Sequence, residues 1–189
     1  MLTERLYTAF VKIDEANSLD ELHKSIAAAK TLLGFHYYAF IQSNSGRSVG
    51  GLLLQDYPDS WVNLQSETYG FAQSPVLQLA SQTATPFEWR EIPSLLSVTP
   101  GQSAYLRLAA AHGLGQGFTV PIHAPGEASA LVSFVNPDDC PIERSSLPHA
   151  MYVATRAFAA GSRIRRAFAD HHARLSESDT RVITLVCRG

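Results

Sequence analysis

Cysteine is nearly absent: Cys140 and Cys187 are the only two in 189 residues. They are far apart and form no C-x-x-C, so neither a disulfide framework nor a cysteine zinc site is expected, and a reducing, cytoplasmic setting is. Lysine is scarce too, with Lys12, Lys24 and Lys30 against twelve arginines, and the formal net charge is −2. That balance offers no bulk attraction to nucleic acid or an anionic membrane. No apolar run is long enough to span a bilayer, and the charged start MLTERLYTAFVKIDEA has no signal core. A soluble chain with no membrane partner is expected. Catalytic signatures are missing as well. There is no G-x-S-x-G elbow, and Cys140 with His149 has no third member marked by sequence. Gly113, Gly115 and Gly117 precede a strand and do not make G-x-G-x-x-G, so no dinucleotide cofactor is implied. His171 and His172 are adjacent and would diverge by about 100° on a helix, so they do not chelate together. Asp138, Asp139 and Cys140 read as a turn that caps the next helix, and His123 as structural. The chain reads as no enzyme, with no metal.

What is abundant is aromatic side chain in one place. With 46% hydrophobic residues, one domain of ordinary core size is expected. Between Tyr57 and Trp89 lie Tyr57, Trp61, Tyr69, Phe71, Phe87 and Trp89, punctuated by Pro58, Pro75 and Pro86. Pro58 marks one helix start and Ser74-Pro75 a second, with Ser74 as N-cap. Trp61, Leu64 and Thr68 would share a face of the first. Val76, Leu77, Leu79 and Ala80 would face inward from the second. Buried Trp and Tyr need partners for their polar tips. The stretch therefore reads either as an aromatic core or as the wall of an apolar pocket with fixed donors.

Around it, helices are predicted at 3–16, on Leu6, Phe10 and Ile13, and from Ser18 to Gly34, with Glu21 completing a capping box. Phe35–Gln42 and Val49–Leu54 predict one hairpin, Gly117–Ile122 and Ala128–Val135 another. Residues 92–101 read as loop and Ser103–His112 as helix. A long helix is predicted from about Ile142 to Ala169, with Leu147, Met151, Ala154 and Phe158 inward and Gly161 weakening its middle. This is an α+β pattern: an antiparallel sheet covered by helices.

Tyr57-Pro58-x-x-Trp61, then Ser74-Pro75-Val76, then Pro86-Phe87-x-Trp89 resembles the autoinducer-binding domain of LuxR-type quorum-sensing regulators. Gly113-Leu114-Gly115-Gln116-Gly117-Phe118-Thr119-Val120-Pro121-Ile122-His123 is similar to the family's G-L-x-x-G-x-T-x-P-I-H block. The resemblance implies an α/β/α sandwich, with an N-acyl homoserine lactone or related signal held between sheet and helices. Tyr57 and Trp61 would donate to its carbonyls, and Trp89 would pack on the lactone ring. The family Asp that accepts the ligand amide is replaced by Ser74, which substitutes a neutral acceptor for a charged one. A further polar position falls on Val132 or Ser133. A family Tyr falls on Gly70, with Tyr69 beside it, and Val76 completes the expected lining.

Leu175-Ser176-Glu177-Ser178-Asp179 with Val182, Ile183, Leu185 and Val186 resembles the opening helix of the family's helix-turn-helix domain. The expected organisation is a ligand domain over 1–170, a linker at 171–175 and that first helix over 176–189. The arginines 163, 165, 166 and 174 before it read as a solvated helix end. The resemblance implies a homodimer through the long C-terminal helix, with DNA bound only by an intact protein. Two other readings stand beside it: an interaction protein that titrates an intact regulator into inactive heterodimers, and an enzyme acting on acyl signals, for which no nucleophile–base pair is visible. Base readout needs an element in the groove. Residues 1–189 alone are expected to give no salt-resistant, sequence-selective gel shift; a selective shift would refute this.

Overall fold

The computed structural model describes residues 2–43, 51–69, 73–125 and 129–173. The helix expected over 176–189 lies outside these residues, as do positions 174 and 175 of the expected linker; its positions 171–173 continue the last helix instead.

Two helices open the chain, α1 (Leu2–Glu15) and α2 (Leu19–Leu32). Leu6, Ala9 and Ile13 of α1 pack on Leu22, Ile26 and Ala29 of α2. Ser18 caps α2 by accepting from Glu21 N–H at 3.1 Å. The carboxylate of Glu21 reaches back to Asn17 N–H instead of to Ser18, so the expected box closes one residue early. Gly34 follows at φ +81°, a conformation that ends the helix without a Cβ penalty.

Five strands form one antiparallel sheet: β1 (Tyr37–Gln42), β2 (Leu52–Gln55), β3 (Phe87–Glu88), β4 (Gln116–Ile122) and β5 (Ala130–Asn136). Their order is β2-β1-β5-β4-β3. Successive side chains of a strand point to opposite faces, and here both faces are covered. Tyr38, Phe40, Leu54, Val132 and Phe134 lie in a core with α1, α2 and the long α7 (Leu147–Ala173). Leu131 and Val135 lie in a second core with α3 (Asp59–Leu64), α4 (Pro75–Gln82), α5 (Ile92–Leu95) and α6 (Pro100–Ala111). The result is the expected α/β/α sandwich.

Two local expectations are corrected, and one short strand went unforeseen. Residues 92–101 are not all loop. Thr99 and Gln102 form a capping box, with bonds of 3.2 and 3.0 Å, that starts α6 three residues before Ser103. The two-residue strand β3 escapes a periodicity test because it is shorter than one alternation can register. Met151 points outward, 41% exposed, while Ala150, Val153, Ala154 and Ala157 face the sheet. Small side chains on that face let α7 sit close.

Gly161 belongs to this close approach. A Cβ there would stand 2.9 Å from Cε1 of Phe40, a ring with no exposed surface. Replacing a mid-helix glycine by alanine ordinarily gains up to about 1 kcal/mol. Overpacking a core costs about 1–3 kcal/mol, and the buried ring has no free direction. Gly161→Ala is therefore expected to lower the urea midpoint, and a raised midpoint would show that the helix can shift off the sheet.

Candidate ligand-binding site

One row of residues runs straight across the sheet on the α3–α6 side. Gln55 pairs with Ala39, Ala39 with Ser133, Ser133 with Thr119, and Thr119 with Phe87. Antiparallel register puts these side chains on the same face. Thr119 and Ser133 are buried, and their hydroxyl oxygens stand 2.8 Å apart. The Trp89 indole N–H donates to Thr119 Oγ1 at 2.9 Å. Ser133 bonds the Tyr57 hydroxyl on the other side. Trp89 reaches Thr119 because residue 117 is glycine: a Cβ there would overlap the indole at 2.2 Å.

A small cavity of about 40 Å³ lies above this row, room for roughly three waters. Its floor is Ala39, Ile41, Leu131 and Ser133, with Tyr57 and Gln55 at the β2 end. Its roof comes from Trp61 and Gln65, from Ser74, Val76 and Leu77 at the start of α4, and from Tyr105, Ala109 and Leu114. Trp61 is 2% exposed and meets the Tyr105 ring edge-on at 5.1 Å and 80°. Its N–H has no hydrogen-bond partner among the described residues. Gln65 opens a single π-helical turn, Gln65–Tyr69, and donates from Nε2 to the Tyr105 hydroxyl at 2.8 Å. Tyr105 also bonds Ser74. Ser74 meanwhile caps α4, accepting from Leu77 N–H at a long 3.4 Å.

Among the described residues, no charged side chain lines this cavity. Burial pushes the Tyr57 phenol far above its usual range, with Tyr105 and Asp56 adding to the rise and the Ser133 bond opposing it. Burial also raises Tyr105, against its bonds to Ser74 and Gln65. Both stay protonated and can donate. Asp56, next to Tyr57, is held outside the cavity: it accepts from Tyr38 N–H at 2.6 Å and pairs with Lys30 at 2.9 Å.

The autoinducer binding domain family matches residues 18–160. The chain belongs to that family. It is similar to the transcriptional activator AhyR of Aeromonas hydrophila, 27% identical over 129 residues, which are 67% of this chain and 48% of AhyR. The chain thus spans about half of that relative. Two solved structures share the fold. CepR2 of Burkholderia cenocepacia, an N-acylhomoserine lactone dependent LuxR-family factor, superposes with a TM-score of 0.65 at 18% identity, covering 85% of this chain and 93% of that one. SdiA of Escherichia coli in complex with octanoyl-rac-glycerol gives 0.67 at 18% identity, covering 86% and 67%.

Of the residues expected from sequence, Tyr57, Trp61, Ser74, Val76, Trp89 and Ser133 meet at the cavity of this autoinducer-binding domain. Val132 does not. It lies on the opposite face, in the core under α7, because adjacent strand residues cannot share a face. Of the two alternatives, Ser133 is the one that faces the cavity. The side chain of Tyr69 lies outside the described residues. Sequence reasoning missed Gln55, Gln65, Tyr105 and the hydroxyl of Thr119. Tyr105 and Ala109, four apart on α6, carried the usual signal of a buried helix stripe. His123 is structural as expected: Nε2 stands 3.0 Å from Ala80 O and 3.2 Å from Thr83 O, tying the end of α4 to the hairpin.

Thr119→Val removes a hydroxyl that serves both Trp89 and Ser133. Stability should fall by about 1–3 kcal/mol through stranded polar groups; an unchanged urea midpoint would mean that Thr119 does not hold the indole. The two raised phenols also set a pH dependence. Each native pKa lies above the unfolded value of about 10, so the unfolded state loses its proton first as pH rises. Their contribution is complete below about pH 10 and lost above it, and Tyr57→Phe should flatten that alkaline loss.

Proposed function

We propose that this domain holds a neutral, acyl-bearing signal, an N-acyl homoserine lactone or a related hydrophobic molecule, between the sheet and the α3–α6 layer. The observation that carries this reading is the chemistry of the cavity. Its walls are apolar, the polar groups among its described residues are uncharged, and Tyr57 and Trp61 bring an O–H and an N–H to it. Such a site suits a lipid-like molecule with carbonyl acceptors. The octanoyl glycerol in SdiA is a molecule of that description. No catalytic role is assigned to the site, because it joins hydroxyls and amides without a nucleophile activated by a base.

A cavity of about 40 Å³ is small beside the roughly 300 Å³ or more of an ordinary ligand pocket. Ligand must therefore part the roof from the floor and then replace their contacts with its own. Binding of this kind stabilises the liganded fold by mass action. The outer surface of α7 supports homodimerisation: Met151, Tyr152 and Phe168 are 41, 46 and 44% exposed, and Tyr7 on the neighbouring α1 is 69% exposed. In an intact regulator, ligand-stabilised dimers would carry the signal to DNA.

Mass spectrometry of small molecules released by denaturing protein purified from its own host should detect a bound acyl compound. Trp61→Phe should weaken its binding by about 1–3 kcal/mol, since a carbonyl would lose its donor. The ligand-free melting temperature should move far less. Equal losses with and without ligand would make Trp61 ordinary core.

A further inference from the structure

Gln55 is, among the described residues, the cavity's acceptor without a hydrogen-bond partner. It is 7% exposed, lies at the end of β2, and lines the cavity. Among the described residues its carboxamide has no hydrogen-bond partner, a state it shares with the Trp61 N–H, and it is the one cavity group without a partner that can also accept, whereas the hydroxyls and Gln65 are engaged. Trp89, Thr119, Ser133 and Tyr57 bond one another in sequence. Gln65, Tyr105 and Ser74 form the second string. Its oxygen and nitrogen are thus free to bond a molecule that enters the cavity. The row explains where it points: Ala39 separates Gln55 from Ser133, and its single methyl leaves the space above it open.

We propose that Gln55 is a ligand-recognition residue, whose carboxamide oxygen accepts the N–H of an amide-bearing signal. This rests on the reading of the cavity as a signal-binding site and assigns the amide partner within it. The need for such a residue follows from the site itself. An enclosed amide N–H requires an acceptor, and among the described residues no carboxylate lines the cavity. Ser74, the position expected to accept, already receives the Leu77 N–H and bonds Tyr105. Gln55 has an open acceptor and brings no charge that would have to be desolvated when the cavity is empty. Its Nε2 adds two donors for a carbonyl beside the amide.

The test compares N-octanoyl homoserine lactone with its ester isostere, α-octanoyloxy-γ-butyrolactone, in which oxygen replaces only the N–H. Calorimetric titration of the full 189-residue chain should find the amide bound about tenfold more tightly than the ester, or more, one hydrogen bond's worth. Gln55→Met keeps the volume and removes the polar atoms. It should bring the two ligands to within about threefold of each other by weakening the amide, while the ligand-free melting temperature stays level or rises. Gln55→Leu serves as a second variant should the first fold poorly. A wild-type chain without amide preference, or a preference that survives both substitutions, overturns the assignment. If neither compound binds, at this or any acyl length from four to fourteen carbons, the signal-binding reading itself fails and the assignment falls with it.

Discussion

Trp89 can only donate, and much of the pocket's organisation follows from that. An indole N–H has no acceptor side, so Thr119 must receive it. The Thr119 hydroxyl is then free to turn its proton toward Ser133, and Ser133 toward Tyr57. Run in that direction, every oxygen accepts one bond and donates one, and the last proton in the string is the phenol of Tyr57. Chains of this kind polarise in one direction. The cavity end therefore presents a donor, which suits a carbonyl. The string in turn rests on Gly117, because any side chain there would displace the indole that starts it.

The sheet divides the labour. Even-numbered positions of β1, such as Tyr38 and Phe40, bury their side chains under α2 and α7, while Ala39 and Ile41 floor the cavity. The α7 side is close-packed through alanines and Gly161, so it behaves as a rigid plate. The α3–α6 side is assembled from short helices and one π-helical turn, joined by hydrogen bonds between side chains such as Gln65 with Tyr105. A layer of short pieces gives way at lower cost than a 27-residue helix lying flat on a sheet.

Much of this was legible in the sequence, for reasons that can be named. The helix ends at Ser18, Gly34, Ser74 and Gly113 are written in residues whose backbone chemistry is local. The aromatic stretch and the glycine-rich block stood out by composition and matched one family in order and spacing. The face of Val132 as against Ser133 was not legible, because it depends on a register that the hairpin turn sets. Gln55 was invisible for a different reason. A glutamine at a strand end reads as solvent-facing, and only the placement of Ala39 and the roof above it makes it buried. Trp89 was read as a surface for a lactone ring. Its N–H bond to Thr119 depends on a contact 30 residues away in sequence.

These pieces bear on how occupancy would be felt elsewhere. On the proposed reading, an acyl signal that outgrows the present cavity would first separate the roof from the row on the sheet. The row cannot move without breaking the Trp89–Thr119–Ser133 bonds, each of them buried. The roof can, through the π-helical turn and the long, weak cap at Ser74. Displacement is thus directed away from α7, whose outer face carries Met151, Tyr152 and Phe168. On this arrangement, a signal would not reshape the α7 surface. It would change how long the sheet beneath that surface stays folded, which makes stability, and not a moving part, the quantity passed from the pocket to a partner.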